Sequence, residues 1–122
     1  MAIRNFIDGK WEWIERDEVP HQHKSPRGKY IFFSSSRDLL SKIAKEEIES
    51  FNFYTSSIIL NPLPKTGEYV LYLHGQDGQK EAELALRYGG KKGIRYVGWK
   101  GDACTIDDLY KKLCMNKNEI GI

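Results

Sequence analysis

No stretch of this chain stays apolar for the roughly 18–20 residues that crossing a bilayer takes. The opening MAIRNFIDGKWEW already sets Arg4, Asp8 and Lys10 in the way, and it shows no signal-peptide pattern. These absences point to a cytoplasmic protein with no membrane partner. Cysteine is scarce as well. Cys104 and Cys114 form no CxxC pair, so two thiols are expected rather than a disulfide framework. Histidine occurs at 21, 23 and 74 only, and HQHK in a proline-flanked loop is too few ligands for a metal site. No GxSxG elbow exists, and GGKKG follows a helical pattern instead of leading from a strand into one, which excludes a Walker-type phosphate loop. Neither a cofactor nor a catalytic residue is assigned from motifs. Internal repeats and low-complexity linkers are absent too.

What is present fits one α+β domain over residues 1–122, a common domain size. With 40% hydrophobic and 30% charged residues, the composition is that of a folded chain rather than a disordered one. The net charge of +2 does not by itself imply nucleic-acid binding. Its distribution says more. Leu84–Gly101 carries Arg87, Lys91, Lys92, Arg95 and Lys100 without an acid, and Val19–Arg37 carries Lys24, Arg27, Lys29 and Arg37 without one. If the two stretches adjoin in space they make an anion-attracting face.

Periodicity supplies the elements. NFIDGKWEWIE reads as a hairpin about Asp8–Gly9, a pair that favours a type I′ turn, with Trp11 and Trp13 sharing one face. A loop with Pro20 and Pro26 leads to the strand KYIFF. SSSRDLLSKIAKEEIESF is the clearest helix: Ser35 with Asp38 suggests its cap, Leu40, Ile43, Ala44, Ile48 and Phe51 its apolar stripe, and Glu46, Glu47 and Glu49 its wet side. FYTSSIIL and EYVLYLH are strands joined across NPLPKTG; in the latter Val70, Tyr72 and His74 face away from Tyr69, Leu71 and Leu73. Asp77 would cap a second helix, GQKEAELALRYGG, ended by a left-handed Gly89 or Gly90. GIRYVGW is a further strand, and Thr105 with Asp108 would cap a last helix, IDDLYKKLC. Hairpins dominate and regular strand–helix alternation is missing. A mostly antiparallel sheet with about three helices on one face follows, leaving the other face for solvent or a partner.

The strongest constellation is aromatic and basic. Trp11, Trp13, Trp99, Tyr72, Tyr96 and Tyr54 lie on expected strands, with Arg95 and Lys100 beside Tyr96 and Trp99. Ring stacking contributes about 1–3 kcal/mol per base, and nearby Lys or Arg hold phosphates. Packing is the competing account, because aromatics favour strands and Trp residues fill the cores of small domains. A regular strand would put Arg95 and Trp99, at i and i+4, on one face.

GKYIFFSSSRDLLSKIAKEEIE, EYVLYLHGQDGQKEAELALRYG and IRYVGWKGDACT with the helix after it resemble a small uncharacterised archaeal family. That family is related to the basophilic-leukaemia-expressed protein group, also described as a putative phosphothreonine lyase group. The resemblance spans about residues 28–113. It implies a fold similar to the cap-binding translation initiation factor: a curved antiparallel sheet with helices on its convex side. In that factor two Trp rings sandwich a base and basic residues hold phosphates; Trp11, Trp13, Trp99, Arg95 and Lys100 are reminiscent of those parts, without a motif-by-motif match. The lyase description implies a Lys base and a His acid, for which Lys80 and His74 are the nominees, with no surrounding motif.

The reading that results is a non-catalytic module binding a phosphate-bearing ligand, a nucleotide or RNA, on the open sheet face through Trp99, Arg95, Lys100, Tyr96, Trp11 and Trp13. A protein-interaction module, and a small lyase or hydrolase acting on a phosphorylated substrate, are the alternatives. Oligomeric state is not legible.

Overall fold

The computed structural model describes residues 3–19 and 26–101. The expected last helix, both cysteines, His21, His23 and Pro20 lie outside them. Within them the chain runs β1 (Ile3–Asp8), β2 (Trp11–Arg16), β3 (Gly28–Ser34), α1 (Arg37–Glu49), β4 (Thr55–Ile59), β5 (Tyr69–Gly75), α2 (Glu81–Tyr88) and β6 (Arg95–Gly101). This is the element order read from periodicity. The six strands form one sheet in the order β1-β2-β4-β5-β3-β6, with every neighbouring pair antiparallel.

The β1–β2 turn corrects the expected type. Asp8 pairs with Trp11, so Gly9 and Lys10 are the central residues, and only Gly9 has positive φ, at 62°. Positive φ at the first central position alone belongs to a type II′ turn, where glycine is favoured.

Strand alternation sends Ile14, Ile58, Leu71, Leu73, Tyr30 and Phe32 to one face. There they pack with Leu40, Ile43, Ala44 and Ile48 of α1 and with Leu84 and Tyr88 of α2. Each fully buried aliphatic or Phe side chain in this layer contributes on the order of 1.5–3 kcal/mol. Both described helices therefore cover the same side, and neither is long and apolar enough to cross a membrane.

Three local expectations shift. The α1 cap is Ser36, whose hydroxyl accepts the Leu39 N–H, while the Ser34 hydroxyl accepts the Ser36 N–H. Asp77 does not cap α2; it accepts the Gln79 N–H in a turn before the helix, and Lys80 holds the cap position. Gly89 ends α2 in right-handed geometry at φ −61°, and Gly90 is not left-handed either; a left-handed glycine comes only at Gly93.

Glu47 is the larger correction. It is not on the wet side of α1 but 2% exposed, between the two helices. Its carboxylate accepts from Arg87 Nη1 at 2.6 Å, from the Tyr88 hydroxyl at 2.6 Å and from Asn52 Nδ2 at 3.1 Å. A buried carboxylate is tolerable only when such donors replace water.

Candidate functional site

The sheet face turned away from the helices is laid out by cross-strand register. One row across it reads Arg4, Glu15, Thr55, His74, Lys29 and Lys100, from β1 to β6. The next reads Phe6, Trp13, Ser57, Tyr72, Ile31 and Gly98. A third holds Asp8, Trp11 and Ile59 at one side of the sheet and Val70, Phe33 and Arg95 at the other. Ile31, Phe33 and Val70 are buried here in a small second apolar cluster, with Trp11, Ile59, Leu63, Tyr72 and Val97 against it.

The rings on this face touch in sequence. Phe6 and Trp13 stand 6.5 Å apart at 11°, Trp13 and His74 5.2 Å apart at 17°, and Tyr72 meets His74 edge-on at 6.2 Å. Trp11 leans on Tyr72 at 5.0 Å. Lys29 continues the line, its Nζ 4.6 Å from the Tyr72 ring centre, within cation–π range. Directly across β3 and β6, Lys29 is paired with Lys100. The two acid-free stretches of the sequence meet at this pair. Of their other cations, Arg37 pairs with Glu12, Arg87 with Glu47 and Glu83, and Arg95 with Glu68 at 2.8 Å. Arg95 also lies 4.3 Å over the Phe33 ring.

The six residues singled out in the sequence therefore divide. Trp11, Trp13, Arg95 and Lys100 share the helix-free face. Tyr96 and Trp99 do not. The register between β3 and β6 slips after Ile31: Ile31 pairs with Gly98 and Phe32 with Tyr96, so Val97 is an extra residue. A bulge of this kind reverses the side on which later residues emerge. Gly98 sits at φ 128°, a conformation L side chains rarely adopt. Trp99 then joins the helical side, 4.9 Å from Tyr30, with its indole against Gly28, Gly75 and Gly78. A Cβ on Gly28 would lie 2.5 Å from the indole, so glycine is required for the close approach. Tyr96 packs 4.8 Å from Phe32, and burial raises the pKa of its phenol.

His74 was the residue weighed for acid chemistry. Its Nε2 lies 2.9 Å from the Ser57 hydroxyl. Burial, and then the charge of Lys29, lower its pKa from 6.5 to about 4, so the ring is neutral at physiological pH. A neutral imidazole is a weak general acid there, since its one N–H is far less acidic than that of an imidazolium. His74 and Lys80 do line one pocket of about 120 Å³, together with Tyr30, Asn52, Phe53 and Asp77 among others. Lys80 Nζ there reaches Asn52 Oδ1 at 3.4 Å and stands 5.3 Å from the Phe53 ring.

Sequence reasoning passed over Phe6, His74 and Lys29 as binding residues, and it counted Tyr72 among the strand aromatics without choosing it for the site. The signal was present in the alternation of Val70, Tyr72 and His74 and in the acid-free run around Lys29. Residues in contact across strands are not neighbours in sequence, so register was needed to assemble them. The chain matches no protein-family model, no curated protein and no solved structure.

Proposed function

We propose that the helix-free sheet face binds a phosphate-bearing ligand with a stackable base, a nucleotide or a short single-stranded RNA, without catalysing its conversion. The observation that carries this reading is the juxtaposition of the Lys29–Lys100 pair with the ring series His74, Trp13 and Phe6 and with Tyr72. Rings supply sequence-tolerant stacking of about 1–3 kcal/mol per base, and cations beside them neutralise phosphate. Trp11, Trp13 and Lys100 keep the roles expected of them. Arg95 adds charge at the margin of the same face, tethered by Glu68. Trp99 and Tyr96 are assigned to packing.

The same proposal places residues 28–113 with the archaeal family they resemble, and the sheet with the curved fold of the cap-binding initiation factor. Its support is the antiparallel sheet with both described helices on one side.

Trp11 and Trp13 report on the site directly. Intrinsic fluorescence titrated at low salt with a short single-stranded RNA, and separately with ATP, is expected to quench and saturate with at least one of them. Lys29→Glu and Lys100→Glu are each expected to weaken binding tenfold or more. Each should also reduce the salt slope by about 0.7, the value for one lost single-strand phosphate contact. No saturable change with either ligand in the wild type, or affinity unaltered in both variants, would overturn the reading.

A further inference from the structure

β1 is an edge strand: among the described strands it pairs with β2 alone. In a two-residue hairpin the pair flanking the turn, here Asp8 and Trp11, exchanges hydrogen bonds. Alternate residues of β1 then direct their backbone groups inward, and Ile3, Asn5 and Ile7 direct theirs outward. The edge also carries two of the protein's exposed large apolar side chains, Phe6 at 39% and Ile7 at 65%. A row of outward-facing backbone groups beside exposed apolar side chains is a template for another strand.

The residue pattern of β1 says which strand fits. Laid antiparallel on a second copy of itself about Phe6, the segment Arg4-Asn5-Phe6-Ile7-Asp8 places Phe6 opposite Phe6, and Arg4 opposite Asp8 twice. Asn5 and Ile7 then fall opposite each other as the hydrogen-bonded pairs, so four backbone bonds close across the axis. Phe6 falls at the non-hydrogen-bonded position, where side chains come closest. Arg4, Phe6 and Asp8 lie on one face, the helix-free one. Arg4 already contacts Glu15 within the chain, through Nε at 2.8 Å, and each copy's Asp8 adds a second carboxylate across the join.

We infer that this chain forms a two-fold homodimer through β1, joining two six-stranded sheets edge to edge. The axis is perpendicular to the sheet, so both helical layers fall on one side and both helix-free faces on the other. The ring series of each copy then continues through the two Phe6 side chains into its counterpart. The dimer rests on the edge strand alone and stands whether or not the face binds nucleotides.

The test is molar mass in solution. Sedimentation equilibrium of the full chain, over a concentration series into the hundreds of micromolar, is expected to show mass rising from 14.1 kDa toward twice that value. Asp8→Arg places arginine opposite Arg4 at both ends and is expected to weaken association at least tenfold. The exchanged pair, Arg4→Asp with Asp8→Arg, restores opposite charges across the axis and is expected to recover most of the loss. Ile7→Pro removes an outward N–H, a change an edge strand tolerates, and is expected to give monomer with an unchanged circular-dichroism spectrum. A wild type that stays monomeric throughout overturns the inference. So does a dimer indifferent to both Asp8→Arg and Ile7→Pro, since it would be built on another surface.

Discussion

The Glu81 carboxylate accepts the backbone N–H of Trp99 at 3.1 Å, tying the first turn of α2 to the bulge in β6. The bulge removes Trp99 from the face that carries Arg95, and Glu81 holds it in that state. Without the carboxylate, an N–H at a break in the β3–β6 ladder would turn to water; the bond is exposed, so its loss costs about 0.5–1.5 kcal/mol.

Gly98 is where this arrangement is most sensitive. Alanine there would need φ near 128°, and its Cβ would fall against the Glu81 carboxylate. Backbone strain of this kind costs of order 1–3 kcal/mol. Gly98→Ala is expected to destabilise by about 2–3 kcal/mol in urea denaturation. Glu81→Gln, which keeps an acceptor oxygen, should lose less than about 1 kcal/mol. An alanine variant as stable as the wild type would show that the bulge can relax.

Tyr96 offers a test of its assignment to packing. Its hydroxyl is buried and has no hydrogen-bond partner among the described residues. Desolvating an unpaired hydroxyl is unfavourable by about 1–3 kcal/mol on mutational scales. Tyr96→Phe should therefore raise the thermal midpoint or leave it level, and leave nucleotide titrations unchanged. A fall in the midpoint would mean that the hydroxyl is bonded after all.

How much of this was legible depends on how far each feature reaches. Strand and helix positions follow from local periodicity, and the shared face of Trp11 and Trp13 follows from alternation. The bulge is a single added residue, and parity arguments fail at it; Gly98 inside a strand pattern was its one local sign. Glu47 was misplaced for a different reason. On a helical wheel it falls four residues after Ile43 and three after Ala44, within the apolar stripe. Grouping it with Glu46 and Glu49 followed its charge and not its position, because its partners Arg87 and Tyr88 arrive from another helix. Lys29 and Lys100, far apart in sequence, become neighbours only through the placement of β6 beside β3.

Glu47 should be the least replaceable acid among the described residues. Glu47→Ala leaves the Tyr88 hydroxyl and the Arg87 guanidinium without their shared acceptor. Breaking a buried pair costs about 3–5 kcal/mol. Arg87 is half-exposed and can recruit water, which brings the expected loss to about 2–3 kcal/mol. Glu46→Ala, on the exposed side of the same helix, is the control and should change stability by under about 0.5 kcal/mol. Equal effects at 46 and 47 would contradict the packing described for α1 and α2.

Phe51 follows the C-cap of α1 in left-handed geometry, φ 66°, where glycine is usual. The Asn52 N–H reaches Glu47 O at 3.2 Å and the Phe51 N–H reaches Ile48 O at 3.3 Å, the paired bonds of a Schellman close. What the ring gains in return is Arg16. That buried guanidinium lies 3.4 Å from the Phe51 ring centre and donates Nη2 to Ile48 O at 3.0 Å. Phe51→Ala keeps the backbone strain and loses the ring, so it should cost about 1–2 kcal/mol. Phe51→Gly loses the ring but relieves the strain and should be more stable than the alanine variant by about 1 kcal/mol. If alanine and glycine prove equal, the backbone at 51 is not left-handed in solution.

His74 gives the fold a pH dependence with a definite window. In the folded protein its pKa is about 4, against 6.5 for an unhindered imidazole, first through burial and second through Lys29. Between those values the unfolded chain binds a proton that the folded chain refuses, so stability is full above pH 6.5 and falls as pH drops toward 4. At about 1.4 kcal/mol per unit, the loss across the window is about 3 kcal/mol. Glu12, whose pKa is lowered because hydrogen bonds from Arg37 and Asn5 outweigh the effect of burial, adds its own loss below its ordinary value of 4.5, outside most of that range. Urea denaturation at pH 5 and pH 7 separates the two. Wild type should lose about 2 kcal/mol between these pH values. His74→Gln, which retains a polar group for Ser57 but cannot titrate, should lose far less. Equal slopes in the two proteins would mean that the imidazole is open to water, and the stacked row from His74 to Phe6 would have to be redrawn.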